Sequence, residues 1–310
     1  MAKYLVTGGC GFIGSHLADA LVDAGHTVHI LDDLSTGRLD NAPPEAEIRI
    51  GDVADPLVAL NALEGMDGCY HLAAVASVER ANLHWLQTHR INLSATVGLF
   101  EAAKELGRLP VVYASSAAVY GSNQDTPLKE SAETKPLTAY GADKLGCEQH
   151  ARVAGGVHGI PTAGLRFFNV YGPRQDPKSP YSGVISIFCD RIAAGQPVTV
   201  FGDGGQERDF VHVSNVVERL QQAMANTSVE APVYNVCTGR PTTVRQLPEI
   251  IGKILGKRPD VRSGPPRDGD IRRSLGDPAH ANALLGAATP LTLAEGLAGM
   301  LTGRKAGQAA

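Results

Sequence analysis

The sequence predicts an α/β fold: a doubly wound parallel sheet with a smaller α+β lobe attached. Three observations carry that expectation. Short, continuous apolar runs alternate with amphipathic segments through the first half of the chain, a glycine-rich turn joins the first run to the first amphipathic segment, and Pro and Gly crowd into loops after Asn169. Strands buried on both faces read as uninterrupted apolar runs, with the helices that cover those faces between them.

The runs are YLVTG, HTVHILD, EIRIGD, GCYHLAA, LPVVYASS and TAGLRFFNV, each bounded by turn residues. Between them SHLADALVDAG, NLSATVGLFEAAKELG and AYGADKLGCEQHARVAG place apolar residues at helical spacing and end at or beside Gly, which closes a helix readily. Residues 1–169 therefore read as one doubly wound domain. From 170 to 310, Gly172-Pro173-Arg174, Pro177, Pro180, Pro197, the GDGGQ turn and Pro265-Pro266 mark a looser lobe. Two of its segments, about 208–226 (strand plus helix) and 233–238 (strand), are expected to return to the main sheet, so the lobe is discontinuous in sequence.

The 310 residues are 43% hydrophobic and 19% charged, which excludes disorder, collagen and coiled coil. A formal charge of −4 gives no field that would gather nucleic acid or an anionic membrane, so an anionic ligand has to be held by a few placed arginines. No basic patch interleaved with aromatics points to nucleic acid. The five cysteines (Cys10, Cys69, Cys147, Cys189, Cys237) include no Cys-x-x-Cys pair. This odd, scattered set reads as the reduced thiols of a cytoplasmic protein, with no disulfide frame and no metal site. The N-terminus reads as a strand without a leader, and no apolar run reaches about 18 residues, so a soluble, unprocessed chain is expected. The terminal GRKAGQAA reads as a frayed tail.

The first strand opens into Thr7-Gly8-Gly9-Cys10-Gly11-Phe12-Ile13-Gly14, with Gly8, Gly11 and Gly14 at GxxGxxG spacing before a helix. Glycine lets the backbone turn tightly and approach a pyrophosphate, toward which the N–H groups of the helix start point. In a chain with 35 glycines plain turns also meet this spacing. Its context, strand before and helix after with Asp32 at the end of the next strand, makes it a dinucleotide site. A carboxylate at Asp32 can accept both hydroxyls of an adenosine ribose and would repel a 2′-phosphate, favouring NAD over NADP. Asp33 is placed to share that role or to serve as a solvated turn residue, and Asp52 ends the third strand within reach of the adenine edge. Phe12 and Ile13 in the turn, Val53 beside Asp52, and Ala73 after the fourth strand complete the expected cofactor wall.

Tyr140 and Lys144, four apart in AYGADK, share one face of a helix. Such a pair also arises by chance; its partners decide the matter. Ser116, in YASSAAVYG at a strand end where α/β ligand sites form, offers a hydroxyl able to share a proton with Tyr140. A nearby ammonium and an oxidised nicotinamide both favour the phenolate, which makes the tyrosine usable as base and acid. Their plain alternatives are a half-buried tyrosine, a solvated lysine and a strand-end cap.

These pieces resemble the extended short-chain dehydrogenase/reductase family and, within it, the UDP-hexose 4-epimerases. The likeness runs in the family's order across nearly the whole chain, through TGGCGFIGSH, LDDLSTG, GDVAD, HLAA, SSAAVYG, YGADK, RFFNVYGPRQ, GDGGQERDFVHV and RDGD. It implies a Rossmann-type domain and a tightly bound NAD regenerated in each cycle. It further implies that Tyr140 takes the proton of the sugar's 4-hydroxyl to give a 4-keto sugar, that Ser116 bonds the reacting oxygen, and that Lys144 holds the nicotinamide ribose. By the same resemblance Asn169, Arg208 and Arg267 contact the substrate diphosphate and Asp270 lies near the uridine ribose. Planar guanidinium forks suit diphosphate oxygens, although surface salt bridges explain such arginines equally well.

Related 4,6-dehydratases carry acidic residues just after the position of Ser116; here Ala117 and Ala118 stand there, leaving no evident acid to expel a hydroxyl. Ser274, seven after Arg267, occupies the position of the family's gate beside the sugar's 2-substituent, and a serine leaves room for an acetamido group. Ala76, Ser77 and Gln175 likewise resemble the members that handle UDP-N-acetylglucosamine. Relatives dimerise through two helices, here about 84–107 and 139–156, so a homodimer is expected. Two rivals stay open: another nucleotide-sugar dehydratase, decarboxylase or reductase of this fold, and a non-catalytic NAD-binding sensor or scaffold.

Overall fold

A computed structural model describes residues 1–177, 183–267, 269–288 and 290–307, with side chains described to 302; Pro180 and Asp268 lie outside the described residues. The apolar runs become strands because consecutive residues point to opposite faces of the sheet and both faces are covered. Val6, Ile30, Tyr70 and Val112 pack into one apolar cluster, while their neighbours Leu5, Leu31, Cys69 and Val111 pack into another on the far side.

In chain order the first half consists of β1 (Lys3–Thr7), α1 (Phe12–Asp23), β2 (Thr27–Asp32), β3 (Glu47–Ile50), α2 (Pro56–Leu63), β4 (Gly68–His71), α3 (Val78–Leu83), α4 (Trp85–His89), α5 (Ala95–Glu105), β5 (Val111–Ser116), α6 (Ala139–His158) and β6 (Thr162–Phe167). It continues with β7 (Asn169–Tyr171), α7 (Val184–Ala193), β8 (Val198–Phe201), β9 (Glu207–His212), α8 (Val213–Met224), β10 (Val233–Val236), β11 (Pro241–Thr243), α9 (Leu247–Leu255), β12 (Val261–Gly264), β13 (Arg273–Ser274), α10 (Ala279–Leu285) and α11 (Leu293–Gly307). Seven strands form one parallel sheet in the order β10-β6-β5-β4-β1-β2-β3. The chain winds outward from β1 to β3, then restarts at β4 on the other side. The carboxyl ends of β1 and β4 therefore open a crevice at the point where the winding reverses, which is where doubly wound folds bind ligands.

Helices α1, α8 and α10 cover one face through Leu17, Leu21, Val216, Leu220 and Leu285, and α2, α5 and α6 cover the other through Leu63, Leu99, Ala103, Cys147 and Ala151. Helix α6 is bounded as its sequence demands. The Thr138 hydroxyl accepts the Gly141 N–H at 3.1 Å at its start, and Gly159, at φ +70°, closes its end.

Three expectations need correction. The run TAGLRFFNV is two strands: β6 stays in the main sheet, and after Phe168 the chain leaves it as β7, which pairs with β9. Of the segments expected to return to the main sheet, β10 pairs with β6, but β9 is the middle of a second sheet, flanked by β7, β11 and β13; from that segment α8, with Val211 of β9, packs back on the domain. The terminal segment is helical as far as Gly307 in α11, and residues 308–310 lie outside the described residues. Helix α11 is anchored where Leu297, Met300 and Leu301 join the lobe's own core, formed with α7 and α9 by Phe188, Ile192, Leu247 and Ile251. No helix among the described residues is long and apolar enough to cross a membrane.

Candidate active site

A cleft of about 500 Å³ opens along the carboxyl ends of the sheet. Its first wall is the glycine turn. Gly8 has φ +70°, and a Cβ there would stand 2.8 Å from the Ala73 amide nitrogen. A Cβ on Gly14 would strike the Gly8 carbonyl oxygen. The turn thus brings bare backbone to the cleft, and α1, whose N-cap is Gly11, has neither a side-chain cap nor an acidic residue in its first turn. Its first N–H groups remain for an anion, as a dinucleotide pyrophosphate requires.

Asp32 is fixed at the end of β2. One carboxylate oxygen accepts the Cys10 N–H and the other accepts the Leu34 N–H, both at 2.9 Å. Burial raises its pKa, against the lowering effect of those two bonds. Two bonds leave carboxylate lone pairs for a ribose diol. Asp33 accepts the Ser35 N–H at 2.9 Å, closing the turn that follows. Asp52 accepts the Ala54 N–H at 2.8 Å and pairs with Arg90 at 2.9 Å. All three, with Phe12, Ile13, Val53 and Ala73, line the cleft, so this arrangement fits NAD.

Behind this wall lies buried His71. Thr96 spends its hydroxyl proton on the Asn92 carbonyl (2.7 Å), so at 3.1 Å it can only accept from His71 Nε2; His71 Nδ1 then accepts from the Thr7 hydroxyl at 2.8 Å. The Thr7 oxygen in turn accepts the Leu72 and Ala73 N–H groups at 3.2 Å. The chain of bonds fixes the end of β1 against that of β4. Burial, reinforced by the nearby Lys144 charge, pushes His71 down to about 3 and keeps it neutral.

Ser116, Tyr140 and Lys144 all line the same cleft. The Lys144 ammonium donates to the Ala114 carbonyl at 2.9 Å and lies 6.0 Å from the centre of the Tyr140 ring. Ser116 Oγ accepts the Ala118 N–H at 3.1 Å, which leaves its O–H to donate into the cleft. Ala76 and Gln175 line the cleft as well. Gln175 is carried there because α1 grips the preceding turn, with His16 bonded to the Pro173 carbonyl at 3.0 Å and Asp19 paired with Arg174 at 2.7 Å. Ser77 is off the cleft wall, and its hydroxyl caps α3 by accepting the Arg80 N–H at 3.1 Å.

The other predicted residues lie around the second sheet, Asn169 on β7, Arg208 on β9, Ser274 on β13, and Arg267 and Asp270 in the loop before β13. Arg208 pairs with Asp270 at 2.6 Å and donates to the Glu207 and Ile271 carbonyls at 2.9 and 2.7 Å. Three of its five N–H groups are used, and two remain. Ser274 is Arg208's register partner, the Arg267 guanidinium covers the Phe201 ring at 4.0 Å, and exposed Asn169 begins β7 between Phe168 and Val170 of the cleft wall. Arg80, Gln87 and Ile91 also line the cleft and were missed from the sequence. They lie on short helices around a π-turn at Arg90–Ser94, a departure from helical spacing that no periodicity reveals.

Comparisons with known proteins agree with this geometry. Residues 4–237 match the model of the NAD dependent epimerase/dehydratase family. The chain is 36% identical over 303 residues to the UDP-glucose 4-epimerase of Mycolicibacterium smegmatis, covering 96% of each. The crystal structure of UDP-glucose 4-epimerase from Thermotoga maritima with UDP-glucose superposes with a TM-score of 0.94 at 33% identity, over 99% of this chain and 100% of that one. UDP-N-acetylglucosamine 4-epimerase from Methanobrevibacter ruminantium, in complex with UDP-N-acetylmuramic acid, gives 0.93 at 35% identity over 99% of both chains. With its glycine turn, buried Asp32 and Ser116–Tyr140–Lys144 group along one cleft, this chain belongs to the NAD dependent epimerase/dehydratase family.

Proposed function

We propose that the enzyme epimerises carbon 4 of a UDP-hexose, interconverting UDP-glucose and UDP-galactose and also the N-acetylated pair. The observation that carries this reading is that Ser116, Tyr140 and Lys144 share one cleft with the glycine turn and Asp32. Tyr140 removes the proton of the 4-hydroxyl and later returns it, and Ser116 donates to the reacting oxygen. Lys144 holds the nicotinamide ribose with the N–H groups not given to Ala114. NAD, when bound, supplies the hydride acceptor and donor. Gly8, Gly11, Phe12, Ile13, Gly14, Asp32, Asp33, Asp52, Val53 and Ala73 form the cofactor wall. Asn169, Arg208 and Arg267 hold the diphosphate, Asp270 the uridine ribose, and Ala76, Gln175 and Ser274 surround the sugar.

In this reading residues 1–169, with α8 and β10, are the cofactor domain and the remainder the substrate lobe. Its location is the cytoplasm, which suits five free thiols. The working form is a homodimer. Leu83, Trp85 and Leu86 are 69%, 67% and 83% exposed, and Leu137, Val153 and Val157 on and before the adjacent α6 are exposed as well. An apolar surface of this kind is cover for a partner helix pair. Light scattering of Trp85→Glu/Leu86→Glu should report a monomer where the parent is a dimer.

The activity is tested by proton NMR of the anomeric signals after incubation with UDP-glucose and, separately, UDP-N-acetylglucosamine, without added reductant. Both galacto epimers are expected, and Ser274→Tyr should remove the N-acetyl reaction alone. A product other than an epimer would move the assignment to a dehydratase or decarboxylase. No reaction at all would point to another nucleotide base, another sugar or the non-catalytic NAD-binding role.

A further inference from the structure

The mechanism leaves unused a buried ionic network directly behind Ser116. Glu148 lies one helical turn beyond Lys144 on α6 and is 1% exposed. Its carboxylate is held bidentately by Arg166 of β6, Nε to Oε1 at 2.9 Å and Nη2 to Oε2 at 2.7 Å, and Oε1 also accepts the Ser115 hydroxyl at 2.5 Å. The remaining side of Arg166 faces the turn that follows Ser116. There Nη1 donates to Tyr120 Oη at 2.8 Å and to the Glu130 carbonyl at 3.0 Å, and Tyr120 Oη donates to Asn235 of β10 at 2.7 Å. Arg166 is also the sheet-register partner of Ser115.

We propose that the Glu148–Arg166 pair is a positioning device for Ser116, gripping the chain on both sides of it. Ser115 is tied through Glu148, Tyr120 is tied directly, and the one hydroxyl between them faces the cleft. Helix α6 is pinned to β5 at the same place by two successive residues, Ala114 through Lys144 and Ser115 through Glu148. The distance between Tyr140 and Ser116 is therefore set by side-chain bonds as well as by apolar packing. Stability gives little reason for such a pair, since well-packed apolar residues replace buried ion pairs at no loss or with gain. Geometry gives a strong one, because a displacement of about 1 Å at a reacting group costs on the order of 100-fold in rate.

The inference rests on the catalytic reading of Ser116, and the test separates the two. Removing Glu148 or Arg166 strands a buried charge and endangers folding, so the probes are Ser115→Ala and Tyr120→Phe, each of which deletes one hydroxyl and no charge. Their combination should lower kcat by roughly 10- to 100-fold, with KM and NAD content unchanged, and Ser115→Thr should restore most of the rate. In a Ser116→Ala background the same pair should cost nothing further, because the group it positions is gone. Unchanged kcat in Ser115→Ala/Tyr120→Phe, or an undiminished loss on the Ser116→Ala background, overturns the positioning role. An unimpaired Ser116→Ala overturns the reading of Ser116 itself, and the proposal with it.

Discussion

The two ends of the proposed ligand path are built by different means. At the cofactor end the proposed site is mostly backbone: bare glycines and helix N–H groups, with Asp32 held by two main-chain bonds in a buried pocket. At the lobe end the proposed contacts are long side chains already engaged, Arg208 with Asp270, among neighbouring ion pairs of Arg272 with Asp203 and Arg273 with Glu207. Backbone groups are in place before any ligand arrives and lose little on binding. Paired arginines must share or exchange partners, so the lobe end can be retuned by single substitutions while the cofactor end tolerates few.

The sharpest test of that division is Tyr140→Phe. Turnover should fall by at least roughly 100- to 10,000-fold, the range that general acid–base catalysis supplies, while UDP affinity measured by calorimetry stays the same. Arg208→Ala should show the opposite signature. Loss of a charge-assisted bond costs roughly 1.5–3 kcal/mol, so KM should rise by about ten-fold or more with kcat and retained NAD little changed; loss of NAD from this variant would break the separation of the two ends. His71 tests the cofactor end through pH. In the unfolded chain it takes up a proton near pH ~6.5, whereas in the folded protein it does so only at about 3. Its contribution is complete above pH ~6.5 and is lost as pH falls through that window, because only the unfolded state binds the proton. Melting temperature measured from pH 7 to pH 4 should fall less steeply in His71→Gln than in the parent. The smallest effect is expected from Thr138→Ala, which removes the cap of the helix carrying Tyr140. It should cost about 1 kcal/mol, a melting shift of roughly 2–4 °C, with KM unchanged.

Much of the cofactor end was legible because its rules are local. Gly8, Gly11 and Gly14 follow from the space a close approach needs, and Asp32 from its position at a strand end. The lobe was harder to read. Within β9 only Phe210 and Val211 have the apolar texture of a main-sheet strand, yet the chain leaves that sheet after Phe168 as β7 and pairs with β9 in a second sheet, a choice that depends on partners far along the chain. Ser77 illustrates the same limit at one residue: its neighbour Ala76 is on the cleft wall, while its own hydroxyl is turned to the start of α3.

By itself the sequence determined the α/β class, the strands of the first half with α1, α5 and α6, and the chemistry available at Ser116, Tyr140 and Lys144, since hydrophobic period, glycine conformation and side-chain type are properties of short segments. Only the tertiary structure decided which groups face one another. It placed Glu148 and Arg166 behind Ser116, closed the hydrogen-bond chain through His71, and set Arg208 against Asp270. Those pairings join residues 18, 25 and 62 positions apart, and no local pattern encodes a contact that exists only once the sheet has brought its strands together.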